Sequence, residues 1–135
     1  MMAVLDAAVA TFDFADQLAL ISSELLRFRM RNKARLSSQE RKNLEDLEMN
    51  LDKATAKVRA AGIAELGSLT EDARTEIEGA TKKAEAFLKR IRKIEKAIGV
   101  ITAVLGLVLA ISTGTPRGIL DAAKAVKNAA ESGPA

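Results

Sequence analysis

From Ala97 to Ile111 the chain runs for 15 residues without a charge. A dense basic block, Lys89, Arg90, Arg92, Lys93 and Lys96, stands directly before it. A helix that is apolar on every side has to be hidden from water, in a core, in a partner or in a bilayer. Any fold available to this chain must cover that segment, and any function must accommodate it.

The rest of the sequence supplies the material for a helical cover. The chain has 135 residues, the usual size of one domain. Aromatic residues make up only 3 %, all of them Phe, so Leu, Ile, Val and Ala must build most of any core. The two prolines, Pro116 and Pro134, both lie near the C-terminus, which leaves long stretches free of helix breakers.

Periodicity then sets the elements. Val4, Ala7, Thr11, Phe14, Leu18, Ile21, Leu25 and Phe28 recur in steps of three and four, which predicts a first helix from about Leu5 to Arg35. Its apolar side fades at Asn32 and Arg35, where Arg27, Arg29, Arg31, Lys33 and Arg35 cluster. Ser37 and Glu40 have the spacing of a capping box, in which each side chain satisfies a free backbone N–H. They start a second helix whose seam is Leu44, Leu47, Leu51, Ala54, Val58 and Ala61, with Gly62 as its stop. Ile63 to Leu69 reads as the connection, and Ser68 with Glu71, or Thr70, caps the third helix.

The third pattern is the most regular. Ile77, Ala84, Ile91, Ile98 and Leu105 form one set of sevens, and Ala80, Phe87, Ile94, Ile101 and Val108 form its companion. The seam enters the uncharged segment without changing register, which predicts a single helix of roughly 60 Å. Ser112 to Gly118 ends it. Pro116 suits the first turn of a short fourth helix, Ile119 to about Ala130, with Ile119, Ala122, Ala123, Val126, Ala129 and Ala130 on its apolar side. The expected fold is all-α, an antiparallel helical bundle of three long helices plus a short C-terminal fourth. It forms one domain over residues 1–130, followed by a disordered tail at 131–135.

The chemistry available is narrow. The chain contains no His, Cys, Tyr or Trp. The common acid–base and nucleophile pairs, thiolate metal sites and disulfides are therefore absent. Asp6, Asp13 and Asp16 share one side of the first helix, which reads as a solvated acidic face rather than a cation site. Gly114 to Gly118 lacks the ending of a phosphate loop and comes after a helix rather than a strand. The expectation is a protein that is not an enzyme and uses no cofactor.

Association is the leading reading. The seam alone leaves Val100, Val104, Leu107 and Ala110 uncovered, so the fourth helix, the start of the first or a second copy must cover them. Gly99 with Ala103, and Gly106 with Ala110, have the small-xxx-small spacing that permits close helix approach. The nominated contact face is Val100, Ile101, Val104, Leu105, Leu107 and Val108, serving a protein partner or a homo-oligomer. The alternative is a membrane-associating or membrane-inserting helix over 97–111, with Lys89, Arg90, Arg92, Lys93 and Lys96 meeting an anionic surface or an acidic partner. About 15 residues give roughly 22 Å, short of the ~30 Å hydrocarbon layer. In outline the arrangement is similar to pore-forming proteins that hide an apolar hairpin in a helical bundle. It departs from them at Asp121, Lys124 and Lys127, so no residue role carries over.

Nucleic acid is the weakest partner class. The first basic cluster divides Arg27, Arg31 and Arg35 from Arg29 and Lys33 on different sides, with no stacking aromatics. Met1 to Asp6 lacks the basic start of a Sec signal. That favours a cytoplasmic or peripheral-membrane location and leaves a dedicated secretion machine open.

Overall fold

The computed structural model describes the backbone of residues 2–61, 71–113 and 116–131, and the side chains of 14–60, 71–112 and 117–131. Among these residues every regular element is helical: α1 (Met2–Arg31), a 3-10 turn (Lys33–Arg35), α2 (Ser38–Ala61), α3 (Glu71–Arg90), α4 (Ile94–Thr113) and α5 (Pro116–Glu131). The all-α expectation holds. The expected third helix, however, is two helices.

α1 and α2 form an antiparallel hairpin, and the sequence explains each part of it. Phe14, Leu18, Ile21, Leu25 and Phe28 of α1 are buried, as are Leu44, Leu51, Ala54 and Val58 of α2. Val4, Ala7, Thr11 and Ala61 lie outside the described side chains. Asn32 closes the first helix earlier than Arg35: its amide donates to the Phe28 carbonyl at 2.8 Å, and the backbone tightens into the 3-10 turn. The capping box forms as spaced. The Ser37 N–H reaches Glu40 Oε1 at 2.8 Å, and the Glu40 N–H reaches Ser37 Oγ at 3.1 Å. Along the outside, Arg29 Nε donates to Glu48 Oε2 at 2.5 Å, Ser22 to Asp52 at 2.9 Å, and Arg59 to Asp16 at 3.3 Å. These contacts fix the opposite running of the two helices.

The five helices then close a circuit, with α1 against α2 and α3, α2 against α4, and α5 against both α3 and α4. Lys127 of α5 pairs with Glu76 of α3 at 2.6 Å, and Glu131 pairs with Lys83 further along, so α5 runs in the same direction as α3. One continuous core results. It includes Ile77, Ala80, Ala84, Phe87 and Leu88 from α3, Ile91 just after it, and Ile119, Ala123, Val126 and Ala130 from α5. Burying each large aliphatic or aromatic side chain contributes about 1.5–3 kcal/mol. The buried hydroxyls are satisfied locally, whereas Gln17 Oε1 and Arg41 Nε are buried without a hydrogen-bond partner. The Thr81 hydroxyl donates to the Ile77 carbonyl at 3.1 Å, and the Thr55 hydroxyl to that of Leu51 at 2.8 Å. Buried Glu24 pairs with Arg27 one turn on.

The fourth predicted helix is α5, which continues through Glu131, the first residue of the expected tail. Residues 132–135, and the caps expected at Ser68 or Thr70, lie outside the described residues.

Candidate functional site

The expected single third helix fails at residues 91–93. No Gly or Pro lies between Glu85 and Ile98, so nothing in the local sequence stops a helix there. The last α3 bond runs from the Ile91 N–H to the Phe87 carbonyl at 3.0 Å, and the first α4 bond from the Ala97 N–H to the Lys93 carbonyl at 3.2 Å. The interruption is held from outside. Arg31 Nη2 donates to the carbonyls of Leu88 at 3.2 Å and Ile91 at 3.4 Å. Arg35 Nη2 donates to that of Arg92 at 3.0 Å. Helix-end carbonyls without an intrahelical N–H accept well from cations, and the negative end of the α3 dipole adds to the attraction. Two members of the first basic cluster therefore serve the backbone of a segment 57 residues later in the chain.

The break also turns α4 about its axis relative to the continuous seam. Ile94, Ile98 and Leu105, all seam positions, are only partly buried. The core side of α4 keeps Ile101 and Val108 from the seam and adds Ala97, Val100, Val104, Leu107 and Ile111. Of the nominated contact face, Val100, Ile101, Val104, Leu107 and Val108 are thus core residues, and Leu105 stands at the edge. Of the off-seam residues, Val100, Val104 and Leu107 find their cover inside the chain, where α4 packs on α5 and α2, and Ala110 stays partly buried.

The outer side of α4 is different. Gly99, Thr102, Gly106 and Leu109 are exposed at helical spacing, with Ile98, Ala103, Leu105 and Ala110 partly buried along the flanks. Leu109 is 67 % exposed. A Cβ built on Gly99 or on Gly106 would meet nothing within 4 Å, so both glycines open onto free space. From Ala97 to Ile111 this surface carries no charge. The sequence marks Gly99, Ala103, Gly106 and Ala110 through their spacing. It does not mark Thr102 or Leu109, because which side faces out depends on the rotation introduced at the break.

The nominated basic residues gather at the N-terminal end of this helix. Arg92 and Lys93 are exposed in the link, Lys89 pairs with Glu85 at 3.4 Å, and Arg90 lies over the Phe87 ring at 5.6 Å. Lys96 is partly buried. Because Arg31 and Arg35 reach the same link, the two basic clusters meet at one end of the molecule, a convergence the linear charge pattern does not reveal. Arg31 also lies over Phe28 at 5.7 Å. Arg29 is occupied elsewhere: its hydrogen bond to Glu48 raises the guanidinium above its ordinary value against the opposing effect of burial, with the Glu48 and Glu45 charges assisting.

No group of three or more Asp or Glu gathers among the described residues to hold a metal. Asp16 is exposed and pairs with Arg59, while Asp6 and Asp13 lie outside the described side chains. A shallow open notch between α1 and α2 is lined by Ser22, Ser23, Asp52, Thr55 and Arg59. Within it Ser22 donates to Asp52 and Thr55 to the Leu51 carbonyl, while Arg59 reaches out to Asp16.

No protein-family model, curated protein sequence or solved structure matches this chain. The functional reading therefore rests on the geometry of α4 and the link before it.

Proposed function

We propose that this protein is a non-catalytic helical bundle that associates, with another copy or with a protein partner, through the outer side of α4. The observation that carries the reading is a helix with no charge on its solvent side beyond the first turn, opened by two glycines with free space above them. A surface helix of a stable monomer ordinarily carries charged residues on the side away from the core. Small residues let a second helix approach closely, and Leu109 with the flanking Ile98 and Leu105 supplies apolar area to bury. The face nominated from sequence moves accordingly: Leu105 contributes from the edge, while Val100, Ile101, Val104, Leu107 and Val108 support the helix from within.

The test is the solution mass of the wild type beside Gly106→Leu. The substitution points into open space, so the fold tolerates it, but it blocks close approach. The expected outcome is a concentration-dependent mass above 14.4 kDa for the wild type and a monomer for the variant. A wild type that stays monomeric across the accessible range defeats the proposal.

One observation favours a second reading, entry into a membrane. Ile94–Ser112 is long and apolar enough to cross a bilayer by length and composition, with a mean hydropathy of 2.1 and only 39 % of it buried. The merged basic end stands where such a helix would meet anionic headgroups. On this reading the chain sediments with anionic liposomes at low salt and is released as salt rises. Absence of low-salt binding across protein-to-lipid ratios removes it.

A further inference from the structure

The break between α3 and α4 combines three facts that local sequence does not reconcile. Residues 90–96, Arg-Ile-Arg-Lys-Ile-Glu-Lys, contain no helix breaker, the sevenfold seam runs straight through them, and yet the helix stops. Sharp interruptions without Gly or Pro arise where a foreign group enters the backbone ladder. Here that group is a pair of guanidiniums on the carbonyls of Leu88, Ile91 and Arg92. In an unbroken helix those carbonyls would accept from the N–H groups of Arg92, Glu95 and Lys96.

We propose that Arg31 and Arg35 form a clamp that holds a two-state helix in its bent form, and that releasing the clamp joins α3 and α4 into one continuous helix over residues 71–113. The two states exchange one set of carbonyl partners for another, so neither leaves these carbonyls bare. The break lies at the end of the molecule where α1 passes into α2, because Arg31 and Arg35 flank that turn. A continuous helix would carry α4 past this end and away from α2. Val100, Val104 and Leu107 would then leave the core. The clamp would thereby control whether the wider apolar face of α4 is available, and this use of it rests on the association reading above, whereas the clamp itself does not.

The chain has no cysteine, so two introduced ones take spin labels without competition. Thr75→Cys and Ser112→Cys, both at exposed positions, would stand about 55 Å apart on a continuous helix at about 1.5 Å per residue. The bent form holds them well short of that, since α5 ties the end of α4 back to α3 through Lys127 and Glu76. In the labelled chain with native arginines the expected result is one short distance. With Arg31→Ala and Arg35→Ala a second population near 55 Å appears. Adding Glu95→Pro removes it, because proline is accepted in the first turn of α4 but not inside a continuous helix. A folded double alanine variant with only the short distance overturns the clamp, as does a long distance that persists with Glu95→Pro. If the double variant does not fold, Arg35→Ala alone gives the same reading, with a smaller long-distance fraction expected and its absence contradicting the clamp. Mass measured on the same samples separates the two proposals. In the double alanine variant a long distance in a monomer upholds the clamp and defeats its use in association, whereas a short distance in an oligomer overturns the clamp and leaves association standing.

Discussion

α3 and α4 share one sevenfold seam and stand in sequence with three residues between them, yet they solve different problems. α3 is an ordinary surface helix. Ile77, Ala80, Ala84 and Phe87 face the core, and Glu71, Asp72, Glu78, Lys82, Lys83 and Lys89 face water. α4 turns a fuller apolar side inward, from Ala97 to Ile111, and an uncharged side outward. A seam states how many residues want burial without stating which neighbour provides it. For α3 the seam and the buried side coincide. In α4 they coincide only at Ile101 and Val108, because the clamped break re-sets the rotation and α5 with α2 becomes the cover.

Charging each side of α4 in turn should separate its two sides most strongly. Leu107→Asp places an unpaired carboxylate in the core and should cost about 4 kcal/mol or more, enough to unfold the chain in a thermal melt. Leu109→Asp, two residues on, should change stability by less than about 0.5 kcal/mol. Equal effects would erase the distinction between the inner and outer sides. Next in size, Phe87→Ala removes the largest side chain that α3 buries and should cost about 3–5 kcal/mol in denaturant unfolding. Arg29→Ala probes the charged outer side of the α1–α2 hairpin, a feature α4 lacks from Ala97 onward. The half-sheltered pair with Glu48 should be worth about 1 kcal/mol by the same measurement.

Gly106→Ala meets no neighbour and replaces a poor helix former, so it should stabilise the monomer by about 0.5–1 kcal/mol. The bond that ties α5 to α3 should show itself through pH. The hydrogen bond from Lys127, then the Lys127 charge, hold the Glu76 carboxyl below its ordinary value against slight desolvation. A carboxylate depressed in the folded chain adds stability above its unfolded pKa and loses that contribution as pH falls through the folded value. The melting-temperature gap between wild type and Glu76→Gln should therefore be present at neutral pH and close on acidification below the ordinary carboxylate range.

Much of the fold is legible in the sequence because its signals are local. The Ser37–Glu40 capping box, the α1 and α2 stripes and the apolar side of α5 each depend on residues within a few turns of one another, and the described positions of each appear as spaced. The break at 91–93 is not legible. Its cause lies in Arg31 and Arg35, far away in sequence, and their role as carbonyl donors has no spacing rule that announces it. The candidate site inherits the same problem. Gly99 and Gly106 are visible by their spacing, but whether Val104 or Thr102 faces outward depends on a rotation that only the tertiary contacts determine. The two basic clusters likewise read as separate surfaces along the chain, and only the fold brings them to one end.

On the reading proposed for α4, one uncharged helix serves the core with its inner side and a second molecule with its outer side. The most direct measurement is the rate of thiol modification at Thr102→Cys, compared with Thr75→Cys on α3, as protein concentration rises. Association through this face predicts that the cysteine at 102 becomes progressively protected while the one at 75 keeps its rate. Unchanged rates at both positions up to the highest concentration would contradict it.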